Sequence, residues 1–320
     1  MIDSMNHYGK NGIPFLFIID FEMHYPVVIP LHKVNQGEIL FDIKGINNCH
    51  TVETAKKETL DYFYRKPVDY STYREAFNII HRNQKDGNSY LANLTFETVI
   101  NTNLTLKELF FLSVAPYRLW YKDQFTVFSP ETFVTIENGY IYSFPMKGTI
   151  DAAVPDAQQV IMADEKEFSE HLTIVDLIRN DLGRVATDIT VEKFRYLDSI
   201  RTNRNTLLQV SSAVRGTLNA NYRENIGTIV HALLPAGSIC GAPKKKTVEI
   251  IREAEKKNRG YYTGVFGYFD GSTMDSCVMI RYIETNGDTM VYRSGGGITY
   301  YSDPRREYQE MMDKVYVPIN

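Results

Sequence analysis

The chain has 320 residues, and no Pro/Gly/Ser-rich stretch or charge block divides it, so a single domain spanning 1–320 is predicted. A net charge of -4 and a pI near 6.0 argue against a nucleic-acid binder, whose surface would be basic. Three cysteines, Cys49, Cys240 and Cys277, are too few for a disulfide framework and lack Cys-x-x-Cys spacing for zinc.

Taken from the N-terminus, the first apolar run, residues 13–19, is too short to span a bilayer and lacks the flanks of a signal peptide. A soluble cytoplasmic protein with no membrane partner is expected. Up to about Asn88 the pattern is weak. Asn138-Gly139, Asp270-Gly271 and Asn286-Gly287 each separate apolar runs, which predicts tight type I′ hairpins and a largely antiparallel sheet. A helix is predicted over 164–183, opened by Asp164 with Glu167 in a capping-box pattern. It carries Glu167 and Glu170, three apart and so on one side. Glycines 237 and 241 then precede a helix starting at Pro243, whose apolar face is Thr247, Val248, Ile251 and Ala254. Loop amides and the helix N-terminus beside Lys244, Lys245 and Lys246 make an anion site, or else only a glycine-rich loop with solvated lysines. From Arg259 a three-strand meander is read (GYYTGVFGYF, MDSCVMIRYIE, DTMVYRS), followed by the glycine run RSGGGIT. Asp303-Pro304 starts a last helix bearing Glu307 and Glu310. If the two acidic helices meet, four carboxylates converge without enough cations beside them, a site for a divalent metal.

In this order, EHLTIVDLIRNDLGRV, PAGSICGAPKKKTVEII, RGYYTGVFGYFD, SGGGITYYSDP and EYQEMMDKV resemble the chorismate-binding enzymes, from about Ser129 onward. The resemblance implies an α+β fold, an α/β/β/α sandwich of two mainly antiparallel sheets. It also implies Mg²⁺, with Glu170 and Glu310 as direct ligands and Glu167 and Glu307 on metal-bound water. Candidate contacts to chorismate are Thr149, Gly241, Arg281, Gly295, Gly296, Gly297 and Lys314. Each residue also has an ordinary reading: Glu167 as part of a helix cap, Glu310 with Lys314 as an i, i+4 ion pair, Arg281 as a paired strand arginine.

Within the family, the residue before the Gly-Thr of FPMKGT is alanine in typical anthranilate synthases and lysine in typical aminodeoxychorismate synthases. Here it is Lys147. The resemblance makes Lys147 a nucleophile on C2 of the ring and Glu131, in FSPETF, the acid that protonates the departing C4 hydroxyl. Gln209 stands where anthranilate synthases have histidine, and Cys240 replaces a threonine. The implied reaction is chorismate plus ammonia to 4-amino-4-deoxychorismate, on the para-aminobenzoate and folate branch. Ammonia would come from a separate glutamine amidotransferase subunit. The alternatives are an anthranilate synthase component I and a catalytically silent subunit with the same fold.

Overall fold

The computed structural model describes residues 1–49, 59–201 and 206–319. In chain order its elements are α1 (Ile2–Lys10), β1 (Phe15–Ile19), β2 (Val27–Pro30), β3 (Ile39–Ile43), β4 (Ile46–Asn47), β5 (Phe63–Lys66), α2 (Tyr70–Lys85), β6 (Leu91–Thr102), α3 (Leu106–Leu112), β7 (Tyr117–Tyr121), β8 (Phe125–Ser129), β9 (Thr132–Glu137), β10 (Tyr140–Ser143) and β11 (Met146–Asp151). There follow α4 (Ala157–Ala163), α5 (Glu165–Leu182), β12 (Thr187–Arg201), β13 (Thr206–Thr217), α6 (Ile226–Leu233), β14 (Gly241–Ala242), α7 (Lys244–Glu255), β15 (Val265–Phe269), β16 (Met274–Val278), β17 (Tyr282–Asn286), β18 (Thr289–Thr299) and α8 (Pro304–Asp313).

The unbroken apolar run of β1 is explained by burial on both faces. Phe15, Phe17 and Ile19 pack with Met5, Val175, Ile178 and Val230 of α1, α5 and α6. Leu16 and Ile18 point the other way, onto Phe41, Leu119 and Val127 of a second sheet. Each such side chain taken out of water contributes about 1.5–3 kcal/mol. The first sheet runs β11-β13-β10-β9-β16-β15-β1-β2 with β12 on β13; the second runs β14-β6-β18-β17-β8-β7-β3-β4 with β5 on β6. Outside the second sheet lie α3, on Trp120, Phe128 and Tyr292, and α2, α7 and α8, on Ala92, Leu94 and Ile298. Two antiparallel sheets between helical layers give the four-layer α/β/β/α sandwich. No described helix is long and apolar enough to cross a membrane.

The local expectations hold unevenly. Asn138 and Gly139 both have positive φ, 53° and 80°, and make the type I′ hairpin of β9 and β10. The other two turns differ. Phe269 pairs with Met274 across a four-residue loop, 270–273, and Asn286 pairs with Thr289, so its two-residue loop is Gly287-Asp288 with only Gly287 at positive φ. The expected meander is also corrected: MDSCVMIRYIE is not one strand. Residues 279–281 carry the chain from β16 in the first sheet to β17 in the second, with Arg281 at φ 54°. The glycine run follows no strand; it lies inside β18, Gly295 opposite Thr95 and Gly297 opposite Asn93. A Cβ on Gly295 would lie 2.2 Å from the Leu94 carbonyl oxygen, so glycine here answers close backbone approach.

Candidate active site

β11 pairs with β13 through a register break between Met146 and Thr149, where Gly148 has φ +83°. Such a bulge re-aims side chains. Lys147 Nζ is 3.3 Å from Glu170 Oε2 on α5. A Cβ on Gly297 of β18 would stand 3.1 Å from the same Nζ, and one on Gly148 would stand 3.1 Å from Glu167 Oε2. Asp164 accepts from the Glu167 amide at 2.9 Å and so caps α5 as its sequence predicts.

From the other end of the chain, α8 brings Glu307 and Glu310. Its N-cap Asp303 accepts from the amides of Arg305 and Arg306, and Pro304 occupies the first turn. Glu307 is buried and accepts from Ser302 Oγ at 2.7 Å. Glu310 holds Lys314 Nζ at 2.6 Å, and that ammonium also donates to the Gly295 carbonyl at 3.0 Å. A Cβ on Gly296 would lie 3.6 Å from carboxylate oxygens of both Glu307 and Glu310 and 3.7 Å from Lys314 Nζ. The acidic helices therefore meet at one glycine segment. Two of the four carboxylates have a lysine partner, Glu170 with Lys147 and Glu310 with Lys314. Among the described residues, no three acidic, histidine or cysteine side chains come close enough together to hold an ion. The donors nevertheless fit Mg²⁺ in kind, being carboxylate oxygens at positions that already attract a positive charge, beside space that the missing Cβ of Gly296 leaves open.

Glu131, between β8 and β9, receives a 2.5 Å hydrogen bond from Ser238 Oγ. Burial pushes its carboxyl above the usual range, opposed by that hydrogen bond and by the charges of Lys147, Arg281 and Lys314. The Lys314 ammonium is pushed down by burial, with Glu310 opposing and Arg281 and Lys147 adding repulsion. The charges of Lys147, Arg281 and Lys314 thus act on Glu131, and those of Lys147 and Arg281 on Lys314. Arg281 stacks its guanidinium over the Tyr316 ring at 5.2 Å.

Other expected residues are placed differently. Thr149 is exposed on β11 opposite Gln209. Gly241 lies in β14 at the edge of the second sheet, opposite Ala92, where a Cβ would meet the Leu91 carbonyl oxygen at 1.7 Å. At the lysine-rich helix start, Lys244 is bound to Asp181 at 2.7 Å and Lys246 pairs with Glu249 at 3.2 Å. Cys240 is fully buried, its thiol pushed up to about 12 by that burial. Sequence reasoning missed Ser238 and His171. His171, one residue past Glu170, is buried with Nε2 2.6 Å from Ser212 Oγ. Burial, then the Arg195 charge, lowers its pKa to about 4. Its only sequence signal is a polar residue on the apolar face of α5.

Two sheets in a four-layer sandwich, closing on a pocket of glutamates, lysines and glycines, define the class of the chorismate-utilising enzymes. The family of chorismate binding enzymes matches residues 36–320, and the chain belongs to it. A protein of Haemophilus influenzae named an uncharacterized PabA-like protein is 49% identical over 99% of this chain and 96% of its own length. One of Pasteurella multocida with the same description is 46% identical over 99% and 98%. Among solved structures, anthranilate synthase component I from Streptococcus pneumoniae superposes with a TM-score of 0.69 at 25% identity, covering 81% of this chain and 60% of that one.

Proposed function

We propose that this chain makes 4-amino-4-deoxychorismate from chorismate and ammonia. The observation that carries the reading is Lys147, held by Glu170 beside Gly297 of the second sheet and near enough to Glu131 for its charge to act on that carboxyl. In its neutral form Lys147 Nζ adds to C2 of the ring as the C4–O bond breaks, and Glu131 gives its proton to the departing hydroxyl, which leaves as water. Ammonia then bonds to C4 while the C2–N bond to Lys147 breaks, and a proton lost from the new amine restores Glu131. The balance is chorismate plus ammonia to 4-amino-4-deoxychorismate plus water. Raised by burial, the Glu131 carboxyl keeps a proton to give at pH values where a free carboxyl has none. Arg281, Lys314 and the amides of Gly295, Gly296 and Gly297 are assigned to the substrate's side-chain carboxylate. Mg²⁺, held by Glu170 and Glu310 directly and by Glu167 and Glu307 through water, would supply the charge that neutralises the ring carboxylate.

The nitrogen reaches the site as ammonia from a separate glutaminase subunit. A glutaminase needs an activated thiol, and burial raises Cys49, Cys240 and Cys277 alike, the opposite of activation. The test is to give the chain chorismate without ammonia and map adducts by peptide mass. The ring should be found on Lys147 and absent from Lys147→Ala; an adduct elsewhere, or full turnover by the variant, contradicts the reading.

A further inference from the structure

We infer that the buried Asp181–Lys244 pair is a positioning device for Ser238 and, through Ser238, for the Glu131 carboxyl. This rests on the proposed role of Glu131 as the acid. Asp181 lies in the last turn of α5 and Lys244 opens α7, with Oδ2 and Nζ 2.7 Å apart and both side chains nearly excluded from solvent. The same ammonium donates to the Leu233 carbonyl at the end of α6, at 2.9 Å. One contact thus ties together the ends of three helices, and the segment 234–241 threads between them.

The short helical turn Gly237–Ile239 sits flush on this pair. A Cβ on Gly237 would lie 2.7 Å from Asp181 Oδ2 and 3.2 Å from the Leu177 side chain. The next residue, Ser238, places its hydroxyl on Glu131 Oε1 at 2.5 Å. On the far side of the turn the Ile239 carbonyl accepts from Arg259 at 3.0 Å, itself fixed by Glu255 at 2.6 Å. The turn is therefore clamped by a buried ion pair on either flank. Asp181, Gly237, Ser238 and Glu131 line one partly open cavity with about 20 Å³ of space for water, room for a single molecule.

Stability does not account for such a pair, because replacing both members of a buried ion pair by neutral residues of similar volume is often neutral or stabilising. Position does. A misplacement of about 1 Å at a reacting group can cost on the order of 100-fold in rate.

The experiment compares Asp181→Asn/Lys244→Met, Ser238→Ala, and the three substitutions combined, in the full chain with chorismate, Mg²⁺ and ammonium. The paired neutral variant should fold, by near-UV circular dichroism, and lose about ten- to a hundredfold in kcat. Its KM for chorismate should stay within about threefold. In the Ser238→Ala background the same pair should cost under about threefold, because the group it positions is gone. Full kcat in the paired variant while Ser238→Ala and Glu131→Gln are impaired overturns the positioning role alone, as do additive losses. Full activity of Glu131→Gln instead removes the acid assignment and the inference with it. Should the paired variant not fold, Lys244→Arg, which cannot place one nitrogen between Asp181 and Leu233 in the same way, carries the same kcat expectation, and wild-type kcat there overturns it.

Discussion

At Lys147 and Glu131 the proposed chemistry asks two opposite things of pH. Ammonia must be neutral to add, so its useful fraction rises with pH, whereas Glu131 must be protonated to act. With its carboxyl raised by burial, ammonium-dependent turnover should climb with pH and then fall as Glu131 deprotonates. Glu131→Gln, unable to supply the proton, should lose at least about a hundredfold in kcat, which a pH–rate series measures. The sign for stability follows the same shift: the folded carboxyl binds its proton more tightly than the unfolded chain does. Its contribution is full below the unfolded pKa and is lost as pH rises through the folded value. Glu170→Ala or Glu310→Ala should abolish Mg²⁺-dependent turnover with little change in the circular-dichroism spectrum, and near-normal rates would remove that residue from the ligand set. The individual acids and Lys147 can be proposed from sequence because short ordered motifs carry them. The Glu310–Lys314 pair was legible as an i, i+4 contact, now seen at 2.6 Å. Lys147–Glu170 and Ser238–Glu131 were not, since their partners are 23 and 107 residues apart and meet only through tertiary structure.

At the scale of elements, the helices were read well where the signal is local chemistry. Asp303-Pro304 opens α8 as expected, and Asp303→Ala should cost about 1 kcal/mol of stability by thermal unfolding. Helix α7 starts as predicted, but Ile250 rather than Val248 joins Thr247, Ile251 and Ala254 on its buried face. Glycine was ambiguous. In RSGGGIT the same residues signal a turn or a strand that must let something near, and only the ladder to β6 decides. Gly297→Ala tests the second reading, because its Cβ would sit 3.1 Å from both Lys147 Nζ and Leu91. It should lower kcat by about tenfold or more while the melting temperature moves only a few degrees. The crossing at 279–281 escaped notice because MDSCVMIRYIE is continuously apolar enough to serve as one strand, and strand membership in a given sheet leaves no local mark.

For the molecule as a whole, the weakly patterned N-terminal part proves structural: β1 is the strand on which the helices and the second sheet both pack. A run buried on both faces has no alternation to read, so its importance was invisible. The sandwich itself was legible only through the resemblance, which the two antiparallel sheets bear out. Because no thiol of this chain is activated, the purified protein should use ammonium but not glutamine, and glutamine should serve only once a separate amidotransferase is added, as a coupled assay would show. The most direct measurement is the mass of the product formed from chorismate, Mg²⁺ and ammonium by the purified chain. An aminated ring that keeps its enolpyruvyl group is the predicted result; anthranilate with released pyruvate, or unchanged chorismate, would contradict it.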